Sequence, residues 1–185
     1  MKLNLGCGNN KLDGFINIDK FDKEADVMAD VCELPYKNDS VDHIVAYQVI
    51  EHLPFWKTHI ITNNIGVQYE PTFFQECHRV LKQGGTMITE CPDFEYMVLK
   101  LLHNDGLFDY NMFCNFFGEY YRPWDKDRYD DWEHQAGSLH INAFTWNEIC
   151  RIAEYIGFDV HRNTMEEKHP AYQYAENLSV LWTKK

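Results

Sequence analysis

The sequence predicts an α/β fold: a parallel sheet covered by helices on both faces. Three observations lead there. Short apolar runs, several of them rich in β-branched residues, alternate with segments of helical spacing. A glycine turn follows directly on the first run, in LNLGCGNN starting at Leu3. Four successive runs also end in glycine or polar residues: Gly6-Cys7-Gly8, Asp19, Asp30 and Tyr47-Gln48. In a parallel sheet those positions share one edge, the carboxyl edge, where ligands bind.

The elements follow in order. Residues 2–5, 15–18, 26–29 and 42–48 read as the first four strands, the fourth (DHIVAYQ) dense in β-branched and aromatic residues. The span 69–82 carries Phe73, Phe74, Cys77, Val80 and Leu81 at helical spacing and stops at Gln83-Gly84-Gly85. A fifth strand is expected at 86–91, closed by Pro92, and a helix at 93–103. Residues 145–156 form a clearer helix. Thr145 is its N-cap, Glu148 completes a capping box, and Ile149, Ile152, Ala153 and Ile156 share a face before Gly157 ends it. Residues 158–162 and 177–183 are the last strands. The stretch 104–138, dense in aromatics and acids, is too long for a plain connection and reads as a lid or binding loop.

A chain of 185 residues suits one domain, spanning 1–185. With 45% hydrophobic residues it is far from a disordered composition. No run approaches the roughly 20 apolar residues that span a bilayer, and the first residues lack a secretory apolar core. The six cysteines (Cys7, Cys32, Cys77, Cys91, Cys114, Cys150) are scattered without a CxxC pair, so free thiols in a reducing cytoplasm are expected. The net charge of −12 disfavours a phosphate backbone as partner.

Glycines after a strand let a ligand approach the backbone. The dinucleotide pattern G-x-G-x-x-G fails, because Lys11 stands at its third glycine and Asp19, at the end of the second strand, comes only 13 residues after Gly6. A P-loop is excluded because no GK[ST] is present. The ordered set LNLGCG (3–8), NID (17–19), AD (29–30) followed by VCELPYKNDSVD, YQVIEHL (47–53) and VLKQGG (80–85) resembles class I S-adenosylmethionine-dependent methyltransferases.

That resemblance implies a Rossmann-like, mostly parallel seven-stranded sheet with the last strand antiparallel. It implies S-adenosylmethionine as cofactor, leaving as S-adenosylhomocysteine. By the same resemblance Gly6 and Gly8 admit the methionine portion, and Asp19 accepts from the ribose hydroxyls. Asp30 accepts from the adenine amino group, and the N–H of Val31 or Cys32 meets the ring. Tyr47 and Gln48 line the sulfonium end. Asn4, Cys7 and Ile18 complete the predicted cofactor set. Family members commonly carry helices ahead of the first strand that fold over the cofactor, and a helix in the first crossover. Here two residues precede LNLGCG, and NNKLDG stands in the crossover. A short group of bacterial and phage-type predicted methyltransferases resembles the chain in both respects. The cover is expected from the 104–138 insertion, ahead of the 54–68 segment or a second subunit.

Methyl transfer from a sulfonium is an in-line displacement, so the protein aligns the acceptor and, for a hydroxyl, removes a proton. His52, just past the fourth strand, and His140, in SLHINAFT, are the candidate catalytic residues. Glu51-His52 reads equally as a helix-start pair closing the pocket. In some RNA-end and quinone O-methyltransferases E-x-x-E-H binds a divalent metal. Gln48 stands in place of the first acid here, and no metal is expected. His134, among acids, reads as lid surface. Of the aromatics Phe116, Phe117, Tyr120, Tyr121, Trp124 and Trp132, the last four are the candidate substrate and lid residues.

The expected activity is methyl transfer to a small molecule, such as a sugar or another ring-shaped metabolite. The competing readings are a methyltransferase-like protein that binds cofactor without turnover, and a nucleic-acid methyltransferase. The acidic lid argues against the latter, as does YQVI where N/D-P-P-Y/F/W would stand. No membrane partner is expected. An uncovered sheet edge admits a homodimer.

Overall fold

Period-two alternation in the first strand turns Leu3 and Leu5 to one side and Asn4 to the other. That split runs through the whole sheet. The computed structural model describes residues 1–53, 56–61, 64–69, 72–103, 140–163 and 177–185. Seven strands make one sheet: β1 (Lys2–Leu5), β2 (Ile16–Asp19), β3 (Val27–Met28), β4 (Val41–Tyr47), β7 (Leu81–Pro92), β8 (Phe158–Arg162) and β9 (Asn177–Lys184), in the order β3-β2-β1-β4-β7-β9-β8. Neighbours from β3 to β7 pair in parallel, and β9 is antiparallel to both β7 and β8. The expected mostly parallel, seven-stranded sheet with an antiparallel last strand is therefore present.

Register lines up two rows. Ile16, Leu3, Ile44, Met87, Trp182 and Val160 lie side by side across the sheet on one face. Asn17, Asn4, Val45, Ile88 and Leu181 form the matching row on the other. The first face carries the core. Helix α1 (Thr72–Val80) buries Phe73, Phe74, Cys77 and Val80 in it, and helix α3 (Trp146–Ile156) buries Ile149, Ile152 and Ala153. Trp182 is fully buried at its centre, 4.7 Å from Phe74 and 5.5 Å from Phe158 between ring centroids. Its indole N–H donates to Thr89 Oγ1 at 2.9 Å, which satisfies the one polar atom such a ring brings inside.

Helix α3 begins and ends as expected. Thr145 Oγ1 accepts from the Glu148 N–H, and Gly157 closes the helix at φ +104°. Helix α2 (Phe94–His103) follows β7 directly. The Gln83-Gly84-Gly85 turn sits inside the extent of β7 as an irregularity. Val41 pairs with Leu81 and His43 with Thr86, so the intervening residues of β7 bulge out. One element was not expected. In the 54–68 segment, expected only as a candidate cover, β5 (Trp56–Ile61) pairs with β6 (Asn64–Tyr69) as an antiparallel hairpin. The run KTHII–TNN–IGVQ has the strand–turn–strand composition that would have signalled it.

The crossovers joining β1 through β4 contain no helix. A buried polar network holds the first of them instead. Asn4 Nδ2 donates to Asn10 O and to Asn17 Oδ1, both at 2.9 Å. Asn17 Oδ1 also accepts from the Leu12 N–H at 2.8 Å, and Asn17 Nδ2 donates to Asp26 Oδ2 at 2.9 Å. Backbone groups that a helix would satisfy internally are met here by two asparagine side chains. Among the described residues, no helix is long and apolar enough to cross a membrane.

Candidate functional site

The strand order reverses between β1 and β4, and the carboxyl ends of these strands bring the predicted residues to one place. The glycine turn after β1 needs its glycines for two different reasons. Gly6 has φ +62°, and a methyl group there would sit 2.5 Å from Val49 Cγ2, in the loop after β4. Gly8 has φ +44°, and a methyl group there would meet nothing within 4 Å among the described residues. Gly6 is thus closed against the protein, and Gly8 opens onto space that a ligand can fill.

Asp19, at the end of β2, shapes this turn. Its Oδ2 accepts from the Gly8 N–H at 2.9 Å, and its Oδ1 from Phe21 N at 2.8 Å and Asp22 N at 3.0 Å. Three of roughly four acceptor positions on the carboxylate are engaged by backbone, leaving one on Oδ2. Asp30 Oδ1 accepts from the Cys32 N–H at 2.8 Å, and its Oδ2 meets Lys20 Nζ at 3.1 Å. Burial opposes ionisation of Asp30, but the Cys32 N–H and Lys20 outweigh it and hold the carboxyl below its ordinary range. Lys11, at the would-be third glycine, pairs with Asp22 at 2.9 Å.

Other predicted cofactor residues have structural work. Asn4 is buried in the network just described. Ile18 is fully buried in the core and Val31 is buried beside it. The Cys32 N–H is engaged by Asp30, so of the predicted pair of amides only that of Val31 remains. Burial first, then Asp19 and Asp22, push the Cys7 thiol up to about 11, so it stays protonated at neutral pH. The five described cysteines are unpaired.

At the end of β4 the backbone turns sharply. Gln48 adopts φ +55° while its N–H donates to Glu90 O at 2.7 Å. A single 3-10 turn, Ile50–His52, follows. It is fastened to residues far along the chain. Glu51 O accepts from Ile141 N at 2.9 Å and Asn142 N at 3.1 Å, and Asn142 Nδ2 donates to Leu53 O. This fastening brings the two candidate histidines together: the His52 and His140 rings meet edge to face with centroids 4.8 Å apart.

Glu51, expected from the sequence only as half of a pocket-closing pair, stands with them: the ligand atoms of the three residues lie within 4.8 Å of one another. Glu51 is only 1% exposed, and neither carboxylate oxygen has a hydrogen-bond partner among the described residues. Its nearest cation candidate is His52 Nε2, 4.0 Å from Oε1. Burial, reinforced by the nearby Glu90, pushes its carboxyl up to about 8. Glu90 is itself fully buried and accepts from Asn177 Nδ2 at 3.1 Å. An acid inside the apolar strand TMITEC was the available signal for Glu90; no local signal marked Glu51 as orphaned.

Phe116, Phe117, Tyr120, Tyr121, Trp124, Trp132 and His134, with the whole 104–138 insertion, lie outside the described residues.

Comparison with known proteins gives a consistent picture. Residues 13–89 match a family described as a methyltransferase domain. No curated protein matches the chain in sequence. Solved structures share the fold over essentially the whole chain at low identity. One is a SAM-dependent methyltransferase of Thermotoga maritima, described as a possible histamine N-methyltransferase (15% identity, TM-score 0.53, covering 100% of this chain and 82% of that one). A SAM-dependent methyltransferase of Archaeoglobus fulgidus is similar at 15% identity and TM-score 0.54, with 99% and 85% covered. The 1,6-didemethyltoxoflavin-N1-methyltransferase of Burkholderia thailandensis is similar at 14% identity and TM-score 0.52, with 100% and 70% covered.

Proposed function

From the premise that this chain is a class I S-adenosylmethionine-dependent methyltransferase in fold, with a methyltransferase domain recognised over residues 13–89, we propose that it transfers the methyl group to a small-molecule hydroxyl. The observation that carries the reading is the glycine turn at the strand-order reversal, shaped by Asp19 and open at Gly8. The open space at Gly8 fits a cofactor whose chain lies against the turn. Asp19 keeps one acceptor position for a ribose hydroxyl, and Asp30 keeps acceptor capacity for an adenine amino group. The sulfonium of the cofactor supplies an electrophilic methyl group.

The chain's own residues then have three tasks. The turn and Asp19 hold the cofactor at the sheet edge. The 3-10 turn and residues 140–142, fastened to each other, present His52 and His140 at the acceptor end. One imidazole takes the hydroxyl proton as the new O–C bond forms, which general-base catalysis rewards with about 10²–10⁴ in rate. Aromatic clamping of a ring-shaped acceptor by Tyr120, Tyr121, Trp124 and Trp132 remains part of this proposal. The net charge of −12 favours a small acceptor over a nucleic acid.

Calorimetric titration with S-adenosylmethionine and S-adenosylhomocysteine tests the cofactor site. Micromolar binding is expected for the wild type, and at least a tenfold loss for Asp19→Ala. Transfer of labelled methyl groups to a panel of hydroxylated metabolites tests the reaction, with a loss of about 10²-fold or more expected for the better base of His52→Ala and His140→Ala. Tight cofactor binding with no transfer to any acceptor would favour binding without turnover. No cofactor binding at all would overturn the assignment.

A further inference from the structure

We propose that Glu51, His52 and His140 form a site for one divalent first-row transition ion of the zinc type, at the acceptor end of the pocket. Each residue offers one ligand atom, and the three atoms lie within 4.8 Å of one another. Ligands around a common zinc at about 2.0–2.2 Å stand roughly 3.4 Å apart in tetrahedral geometry, so side-chain rotations of about 1 Å close the set. Two imidazoles and one carboxylate are the donors that such ions take, with further positions left for water or substrate.

Three features separate this cluster from a chance meeting of polar groups. Glu51 is buried with neither carboxylate oxygen hydrogen-bonded among the described residues. A buried carboxylate without partners is costly, and a bound cation removes that cost. The cluster is also assembled from opposite parts of the chain by backbone bonds. The Glu51 carbonyl receives two N–H groups from residues 141 and 142, and the Asn142 side chain closes on Leu53. The ligand spacing is therefore set by the scaffold. Finally, the two imidazole rings lie with centroids 4.8 Å apart, near enough for one nitrogen of each to reach a shared ion.

The role follows from the location and rests on the hydroxyl-transfer reading above. With three protein donors, an ion held here would keep one or more positions for water or the acceptor. Such an ion would lower the pKa of a bound hydroxyl, as zinc does for water, and would take over the task that one imidazole has in a metal-free site. The proton passes to solvent, and the alkoxide attacks the methyl carbon as the sulfur–carbon bond breaks.

The test uses the full, untagged chain after chelator treatment, titrated with Co²⁺ and followed by its visible d–d absorption, then competed with Zn²⁺. One equivalent per chain is expected, with the intensity of a four- or five-coordinate site. Glu51→Gln, His52→Ala and His140→Ala should each weaken binding by at least tenfold, whereas His161→Ala, exposed on β8, should leave it unchanged. Circular dichroism of each variant separates lost ligation from lost folding, and any two folded variants suffice for the decision. Substoichiometric binding, or binding indifferent to all three substitutions, overturns the site. Cofactor calorimetry with and without metal runs separately. A chain that binds S-adenosylhomocysteine but no metal refutes this inference alone, while one that binds metal but no cofactor refutes the methyltransferase function alone.

Discussion

Single residues here hold loops as much as they prepare chemistry. Arg79 and Glu76, one turn apart on α1, form a two-pronged pair with Nε–Oε2 at 2.8 Å and Nη2–Oε1 at 2.6 Å. The pair reaches outward: Leu34 N–H donates to Glu76 Oε1, and Arg79 donates to the carbonyls of Leu34 and Tyr36 and to Asn38. The loop between β3 and β4, which contains Asp30, is anchored by this knot. The Arg79 hydrogen bonds hold the Glu76 carboxyl below its ordinary 4.5, with the Leu34 N–H adding to the effect. A depressed carboxyl stabilises the fold fully above the unfolded value and loses that contribution as pH falls through the folded one. Glu76→Gln is therefore expected to lose about 2 kcal/mol at neutral pH. The gap to wild type should narrow progressively below pH 4.5, measured as urea midpoints across the acid range.

Elements show the same division between scaffold and site. The glycine turn contains one position closed by Val49 and one with no neighbour among the described residues, and substitutions should separate them. At Gly6 an added methyl group meets Val49 at 2.5 Å in a left-handed conformation, so Gly6→Ala should cost about 2–4 kcal/mol in stability. At Gly8 only the left-handed conformation is penalised, about 1 kcal/mol, while the methyl group enters the space assigned to the cofactor. Gly8→Ala should therefore keep most of its stability and lose at least tenfold in S-adenosylhomocysteine affinity. Thermal melts beside calorimetry on both variants check this. Equal behaviour in the two assays would mean the turn does not face a ligand. Helix α1 illustrates a further dependence on distant parts: the terminal carbonyls of His78, Arg79, Val80 and Leu81 are met by Lys184 Nζ, Asp39 N–H, Ser40 N–H and Lys184 Nζ again.

At the scale of the whole molecule, Lys184 ties the last strand to the α1–β7 junction. Its ammonium donates to Asp39 Oδ1 and His78 O at 2.7 Å and to Leu81 O at 2.8 Å, although the residue is 9% exposed. The aliphatic stem survives in Lys184→Met, but two carbonyls at the helix end lose their donor. A loss of about 2–4 kcal/mol is expected in equilibrium unfolding. A change under 0.5 kcal/mol, the range of ordinary surface substitutions, would show that water replaces the ammonium there. The same long-range logic joins the turn after β4 to the segment before α3.

The sequence by itself determined the strand ends and the order in which they reach one edge. It determined α3 with its Thr145 cap and Gly157 stop, and it carried the glycine turn with Asp19 and Asp30 behind it. These features are local: period, capping chemistry and positive φ act over a few residues and are written in neighbouring side chains. Only the tertiary structure decided that Asn4 and Ile18 are buried, that two buried asparagines stand in for a crossover helix, and that Trp56–Ile61 pairs with Asn64–Tyr69. It also decided that Asp19 gives three of its acceptor positions to backbone. The meeting of His52 with His140 around an orphaned Glu51 belongs to the same class. It depends on Asn142 closing on a carbonyl 89 residues away, and whether such a contact forms is settled by packing and burial, quantities that no short stretch of residues contains.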